Sequence, residues 1–290
     1  MSDVLAELLD QLALERIEHT LFRGQSQDLG WGRVYGGQVL GQALSAAEQT
    51  VSEDRAVHSL HAYFLRPGDV AAPIVYQVDP IRDGRSFTTR RVVATQHGKA
   101  IFNMSASFQG AEGGLEHADP APLGVPAPEH VLNERQLGAL VRDAMPPGIA
   151  ARVDFDKPIE IRPIDPVNIL APRARPPHRA AWFRANGPLP DDQRLHQYLL
   201  AYASDFHFLT TSLQPHAITW MTGGIQMASL DHAMWFHRPF RFDDWLLYAV
   251  DSPSASGGRG LVRGRFFTRD GVLVASTMQE GLIRDRRKKD

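Results

Sequence analysis

The stretch VHSLHAYFLRP at residues 57–67 returns, altered but legible, inside IQMASLDHAMWFHRPF at residues 225–240. Arg66-Pro67 matches Arg238-Pro239 at an offset of 172, and Phe64 matches Phe236. The turn residue Gly98 matches Gly271, and Gln109 matches Gln279 at an offset of 170. A period this long is not that of a solenoid, whose repeats run to about 20–50 residues. It marks a duplicated folding unit.

The order of elements repeats as well. Residues 3–14 carry Leu5, Leu8, Leu9 and Leu12 as a helical stripe, and residues 15–25 read as a first strand. Gly36-Gly37 opens a run of small and apolar residues within 31–51, which predicts a helix packed closely on its neighbours. Residues 55–66, 73–82, 86–96 and 100–109 read as strands, with turns at Asp83-Gly84 and His97-Gly98. The first half is therefore expected to be strand, helix and a four-stranded antiparallel meander. In the second half, residues 158–164 and 179–185 are strand-like, and Leu195, Tyr198, Leu199 and Tyr202 have helical spacing within 192–206. Strands are expected at about 216–221, 226–237, 245–253, 259–269 and 272–283.

Between the halves, ADPAPLGVPAP at residues 118–128 is too rich in proline for a regular element. A short helix is expected at about 131–144, ended by Pro146-Pro147. The division that follows is an N-terminal unit at 1–112, a linker at 113–156, a C-terminal unit at 157–286 and a basic tail at 287–290. A helix followed by an antiparallel meander predicts an α+β unit, its sheet wrapped around one central helix. Two copies in one chain would cover each other as an internal pseudo-dimer.

Composition narrows the partners. A formal net charge of −2 gives no general attraction to nucleic acid or anionic lipid, and no apolar run is long enough to span a membrane. The chain has no cysteine, which excludes disulfides, thiolate nucleophiles and thiolate metal sites, and fits a reducing compartment. The acidic, amphipathic N-terminus is unlike a secretory leader, and the final Lys-Lys-Asp is unlike a peroxisomal signal. Cytoplasmic residence is expected.

The blocks LFRGQS (21–26), VYGGQVLGQAL (34–44), HSLHAYFLRPGD (58–69), RDGRSFTTRRV (82–92) and SLDHAMWFHRPF (229–240) together resemble the type II, TesB-like acyl-CoA thioesterases. These are related to the peroxisomal acyl-CoA thioesterases. The resemblance covers roughly residues 10–285 and implies the double hotdog fold. It further implies hydrolysis of fatty acyl-CoA to free acid and CoA, no metal or organic cofactor, and homo-oligomers (dimers or tetramers) of the double unit. It places the family's catalytic trio on Asp205, Ser229 and Gln279.

Weighed on their own residues, these three are ordinary. Asp205 reads as an acid at a helix C-terminus, where the dipole favours a base and where exposed acids are common. Ser229 lies in an apolar strand and aligns with Val57, and Gln279 interrupts an apolar run and needs partners if buried. The implied chemistry is direct hydrolysis, with Asp205 taking a proton from water held by Ser229 and Gln279. Gly36 and Gly37 are expected to bring a ligand close to backbone donors at a helix start. Arg82, Arg85, Arg90 and Arg91 are expected to meet CoA phosphates, since arginine forks suit that group. His58 is a back-up base candidate. No GxSxG elbow supports covalent catalysis by Ser229, and no HExxH motif supports a metal site.

Two other readings stand beside this one. The hotdog fold also hosts enoyl-CoA hydratases, and Asp191 and His196 are spaced somewhat like their acid–histidine pair, without the intervening Asn-Pro. The other is a non-catalytic acyl-CoA-binding protein.

Overall fold

The computed structural model describes residues 2–145 and 156–287. Pro146-Pro147 and residues 288–290 of the basic tail lie outside the described residues. The elements are α1 (Asp3–Leu12), β1 (Glu15–Glu18), β2 (Leu21–Gly24), α2 (Gly36–Glu48), β3 (Arg55–Phe64), β4 (Ile74–Asp83), β5 (Phe87–Gln96) and β6 (Lys99–Gly110). They continue with α3 (Glu134–Val141), β7 (Ile159–Pro163), β8 (His178–Ala185), α4 (Gln193–Ser204), β9 (Ile225–Ser229), β10 (Asp231–Phe236), β11 (Leu246–Ser256), β12 (Arg259–Thr268) and β13 (Leu273–Asp285). No helix among the described residues is long and apolar enough to cross a membrane.

One antiparallel sheet runs through both halves in the order β1-β2-β4-β5-β6-β3-β10-β13-β12-β11-β8-β7, with β9 beside β13. Read outward from the middle, β3-β6-β5-β4-β2-β1 and β10-β13-β12-β11-β8-β7 are the same sequence of strands. The duplication is thus a pseudo-two-fold, with β3 and β10 paired antiparallel at its seam. This is the double hotdog: two helices, each wrapped by one half of a shared sheet.

The order corrects the expected four-stranded meander. Only β4, β5 and β6 follow one another; β3 pairs with β6 on one side and β10 on the other. Its inward-facing residues Leu60 and Ala62 are needed at the centre, where both halves meet. Residues 15–25 form a two-strand hairpin, not one strand. The strand expected at 216–221 is absent: Leu209–His216 is a 3₁₀ segment containing Pro215, and Ala217 follows in a left-handed conformation with φ 51. A strand cannot start from that backbone.

Helix α2 is buried on every side from Gly37 to Glu48, so its polar residues find partners inside. Gln42 donates to the Gln11 carbonyl oxygen and accepts from the Tyr76 hydroxyl, and Ser45 donates to the Leu12 carbonyl oxygen. Its small residues let α4 lie close, with Gly41 against the Tyr198 carbonyl. The linker does not hang free. Its Val125 and Val131 pack with Trp182, Trp245 and Phe267, and the Trp182 indole donates to the Pro126 carbonyl oxygen.

Candidate active site

Asp205 caps the C-terminus of α4 and its carboxyl lies against the start of α2. A Cβ on Gly36 would come within 2.8 Å of Asp205 Oδ2, and one on Gly37 would overlap the Tyr202 carbonyl oxygen. The glycine pair therefore admits the end of α4 to the positive end of the α2 dipole. Burial pushes the Asp205 carboxyl up from 3.8 to about 7, against the pull of hydrogen bonds from Gln279, the Gly37 N–H and Ser229. Aromatic rings supply much of the low-dielectric wall: Tyr35 stacks on Phe206 at 4.6 Å and meets Tyr202 edge-on at 5.2 Å.

Ser229 reaches the site through a β-bulge. From Ala233 back to Ser229 is four residues, whereas their partners Met278 and Gly281 on β13 are three apart. The extra residue falls at the break between β9 and β10, where Leu230 N donates to the Glu280 carbonyl oxygen. A one-residue slip turns a strand's side chains to the other face. Ser229 thereby joins the inward set of His232, Met234 and Phe236, so the expected single strand at 226–237 is two.

Gln279 is fully buried and its amide joins two sides of the site. Nε2 donates to Ser229 Oγ at 2.8 Å and also serves the Asp205 carboxyl. Oε1 lies 2.7 Å from Nδ1 of His232, whose Nε2 is 3.0 Å from Ser204 Oγ. His232 was not among the residues singled out from the sequence. The available signal was parity: His232 shares its strand face with Met234 and Phe236, all buried.

The loop after Asp205 is anchored by charge. Arg179 donates to the His207 carbonyl oxygen and to Thr210 Oγ1, while the His207 ring pairs with Glu134 at the start of α3. Glu134 also accepts from Lys157 at 2.7 Å.

The remaining sequence candidates divide. Gly36 and Gly37 sit at the helix start as expected, but the close approach they permit is that of Asp205 and Tyr202. His58 is the extra residue of a matching bulge in the first half, between Val57 and Ser59. That position turns its ring from the inward face onto Ser107 Oγ at 2.8 Å and the edge of Phe87. Arg90 is buried at 4% exposure and committed to Asp83, Thr50 and the Arg82 carbonyl oxygen, so it cannot join a phosphate site. Arg82, Arg85 and Arg91 are exposed on the same hairpin, Arg91 paired with Asp79. The hydratase-like pair does not assemble: Asp191 is exposed and pairs with Arg241, while His196 Nδ1 accepts from the Phe242 N–H.

The registers also correct one repeat match. Val57 pairs with Phe108 and Ser229 with Gly281, offsets of 172 and 173. Gln279, opposite His232, therefore has Ala106 as its twin, opposite Leu60, and not Gln109 three residues further on. The first half also carries an acid at the end of its helix. The two central helices start at Gly36 and Gln193, an offset of 157, which makes Glu48 the twin of Asp205.

Family models agree with both halves: the acyl-CoA thioesterase N-terminal domain matches residues 26–109 and the acyl-CoA thioesterase model matches residues 155–282. The chain is 45% identical to acyl-CoA thioesterase 2 of Haemophilus influenzae, covering 98% of this chain and 99% of that one. It is 44% identical to human acyl-coenzyme A thioesterase 8, covering 94% and 87%. A crystal structure of the acyl-CoA thioesterase II TesB2 from Mycobacterium marinum superposes with a TM-score of 0.77 at 42% identity, covering 97% and 98% of the two chains. The chain belongs to the acyl-CoA thioesterase II family.

Proposed function

We propose that this protein hydrolyses fatty acyl-CoA to free fatty acid and CoA, with Asp205 as general base. The observation that carries the reading is the convergence of Ser229, Gln279 and the Gly37 N–H on one buried carboxyl whose pKa is about 7. A base poised near the working pH combines a large ionised fraction with a real affinity for the proton. The Asp205 carboxylate takes a proton from water; the hydroxide so formed adds to the thioester carbonyl carbon. The tetrahedral intermediate then expels CoA sulfur, which receives the proton from Asp205. Ser229 and Gln279, both with polar atoms at the carboxyl, hold the attacking water. Their hydrogen bonds also keep the Asp205 pKa from rising further, since each favours the ionised form.

The substrate class, fatty acyl-CoA, follows from family membership. Cytoplasmic residence and a homo-oligomer of the double unit belong to the same reading. Release of CoA is followed with a thiol reagent over a panel of acyl-CoA chain lengths. Wild type is expected to hydrolyse a subset, and Asp205→Asn to lose about 10²–10⁴-fold in kcat. Near-wild-type hydrolysis by Asp205→Asn would end the base assignment. Hydration of a 2-enoyl-CoA without thiol release would replace the reaction.

A further inference from the structure

We infer that His232 is a positioning residue, a neutral imidazole that fixes which way the Gln279 amide faces and so keeps its N–H on Asp205 and Ser229. The inference rests on the reading of Asp205 as the base.

An amide is symmetric in shape but not in chemistry. Turned over, Gln279 would present Oε1 to the Asp205 carboxylate, exchanging a donor for a repulsive oxygen. Ser229 cannot prevent this, because a hydroxyl can donate to Oε1 as readily as accept from Nε2. The orientation is decided at the other end, by the group 2.7 Å from Oε1. His232 Nδ1 meets that oxygen, which only accepts, so Nδ1 must carry a hydrogen.

The tautomer is decided by that contact with Gln279 Oε1, and Ser204 can accommodate it. Its hydroxyl lies 2.8 Å from the Ala201 carbonyl oxygen and 3.0 Å from His232 Nε2, at the last turn of α4. A neutral ring protonated at Nδ1 leaves a lone pair at Nε2, which the Ser204 hydroxyl meets by turning its single hydrogen from the Ala201 carbonyl oxygen to the ring. Charging the ring is disfavoured, since His232 is fully buried with Phe208 packed on it, and burial lowers its pKa to about 4. The chain of contacts therefore runs from the Ser204 hydroxyl through Nε2 and Nδ1–H to Gln279 Oε1, and from Nε2–H of the amide to Ser229 and Asp205.

The duplicated half supplies an internal comparison. The twins of His232, Gln279 and Ser204 are Leu60, Ala106 and Ala47, all buried within 2% exposure. The scaffold thus packs at these places without any polar group. Replacing an apolar trio by three polar groups that satisfy one another is costly unless their hydrogen bonds serve something, and they converge on the one half that carries Ser229.

The test uses His232→Leu, His232→Asn and Ser204→Ala in the full-length protein, with kcat, KM and the pH dependence of kcat/KM for acyl-CoA hydrolysis. His232→Leu is expected to lower kcat about 10–100-fold with KM within about 2-fold, and to move the acidic limb to higher pH by about one unit, because Asp205 loses a donor. His232→Asn, whose amide N–H replaces Nδ1–H, is expected to restore most of the rate and the limb. Ser204→Ala, which copies the buried Ala47 of the other half, is expected to fold as wild type and to show a weaker form of the Leu phenotype. Equal behaviour of Leu and Asn variants, or an unmoved limb in Leu and Ser204→Ala, overturns the inference. An independent readout is the histidine side-chain ¹⁵N spectrum: a neutral Nδ1–H ring from about pH 5.5 to 9 is expected, and an Nε2–H or doubly protonated ring refutes the proposal. Wild-type activity in Asp205→Asn would instead defeat the base reading, leaving the tautomer result to stand or fall alone.

Discussion

Asp205→Asn is expected to stabilise the protein while it removes activity. The Asp205 carboxyl rises from 3.8 to about 7 on folding, chiefly through burial. The folded state therefore holds this proton more tightly than the unfolded chain. Stability from this group is full below about pH 3.8, drains away as pH rises, and is gone above about pH 7. At about 1.36 kcal/mol per pH unit, the roughly three-unit gap sets a ceiling of about 4 kcal/mol at pH 8, falling to about 1.6 kcal/mol at pH 5. Asn keeps the shape and an acceptor for the Gly37 N–H, but its NH2 fits the Gln279 donor poorly. About half the ceiling is the reasonable gain, near 2 kcal/mol at pH 8, or about 4–8 °C in Tm. Thermal unfolding of wild type and variant at pH 8 and pH 5 measures it. The decisive quantity is the difference between the two proteins, which should shrink by at least half at pH 5. A variant no more stable than wild type at pH 8, or a gain independent of pH, would show that the carboxyl is not desolvated.

Three further outcomes follow from the same geometry. Ser229→Ala removes one donor to the Asp205 carboxyl, so the acidic limb of kcat/KM should move up by about 0.5–1 pH unit with a fall in kcat; an unmoved limb counts against that contact. Gly37→Ala drives a Cβ into the Tyr202 carbonyl oxygen and forces α2 from α4, for a loss of about 2–3 kcal/mol in urea unfolding together with reduced activity; full stability would mean the helices are not held that closely. Glu48, fully buried, rises from 4.5 to about 7, first through burial, so the stability lost between those pH values has a ceiling of about 3 kcal/mol. Glu48→Gln should recover about 1–2 kcal/mol at pH 8 and less than half of that at pH 5, with kcat unchanged, and a drop in kcat would place Glu48 in the reaction.

Much of the fold was legible because the two halves checked each other. The runs 86–96 and 100–109, joined by the turn at His97-Gly98, read as strands within a residue of their extent, and Gly36-Gly37 with small residues behind it marked the central helix. Pairing order was not legible, since β3 looks the same in sequence beside β4 or β6. A bulge carries no sequence mark either, which is why the Ser229 strand reads as unbroken and His58 as a candidate. Asp205, Ser229 and Gln279 entered through family resemblance, and their meeting depends on three elements far apart in the chain. Arg90 shows the opposite failure: its neighbours Arg85 and Arg91 are exposed, and only strand parity separates a buried arginine from them.

The two ends of the helix pair explain why one half is equipped and the other is not. At each end, the acid of one helix faces the start of the other. Asp205 faces Gly36-Gly37; its twin Glu48 faces Gln193-Arg194, with Arg194 Nε 3.6 Å away. Glycine lets the Asp205 carboxyl come up to the Gly37 N–H at the first end. Arginine fills the second end with a side chain and a permanent charge. Around Asp205 stand Ser229, Gln279, His232 and Ser204; around Glu48 the same places hold Val57, Ala106, Leu60 and Ala47. The Glu48 carboxyl is served by the Tyr198 hydroxyl in place of a serine–glutamine pair that could orient water, and the Arg194 cation beside it weakens it as a base. With Asp205 as the proposed base, these pairs of residues predict one working site per double unit. To build a second would take a glycine at 194, a hydroxyl at 57 and an amide at 106, not merely the acid, which is already present.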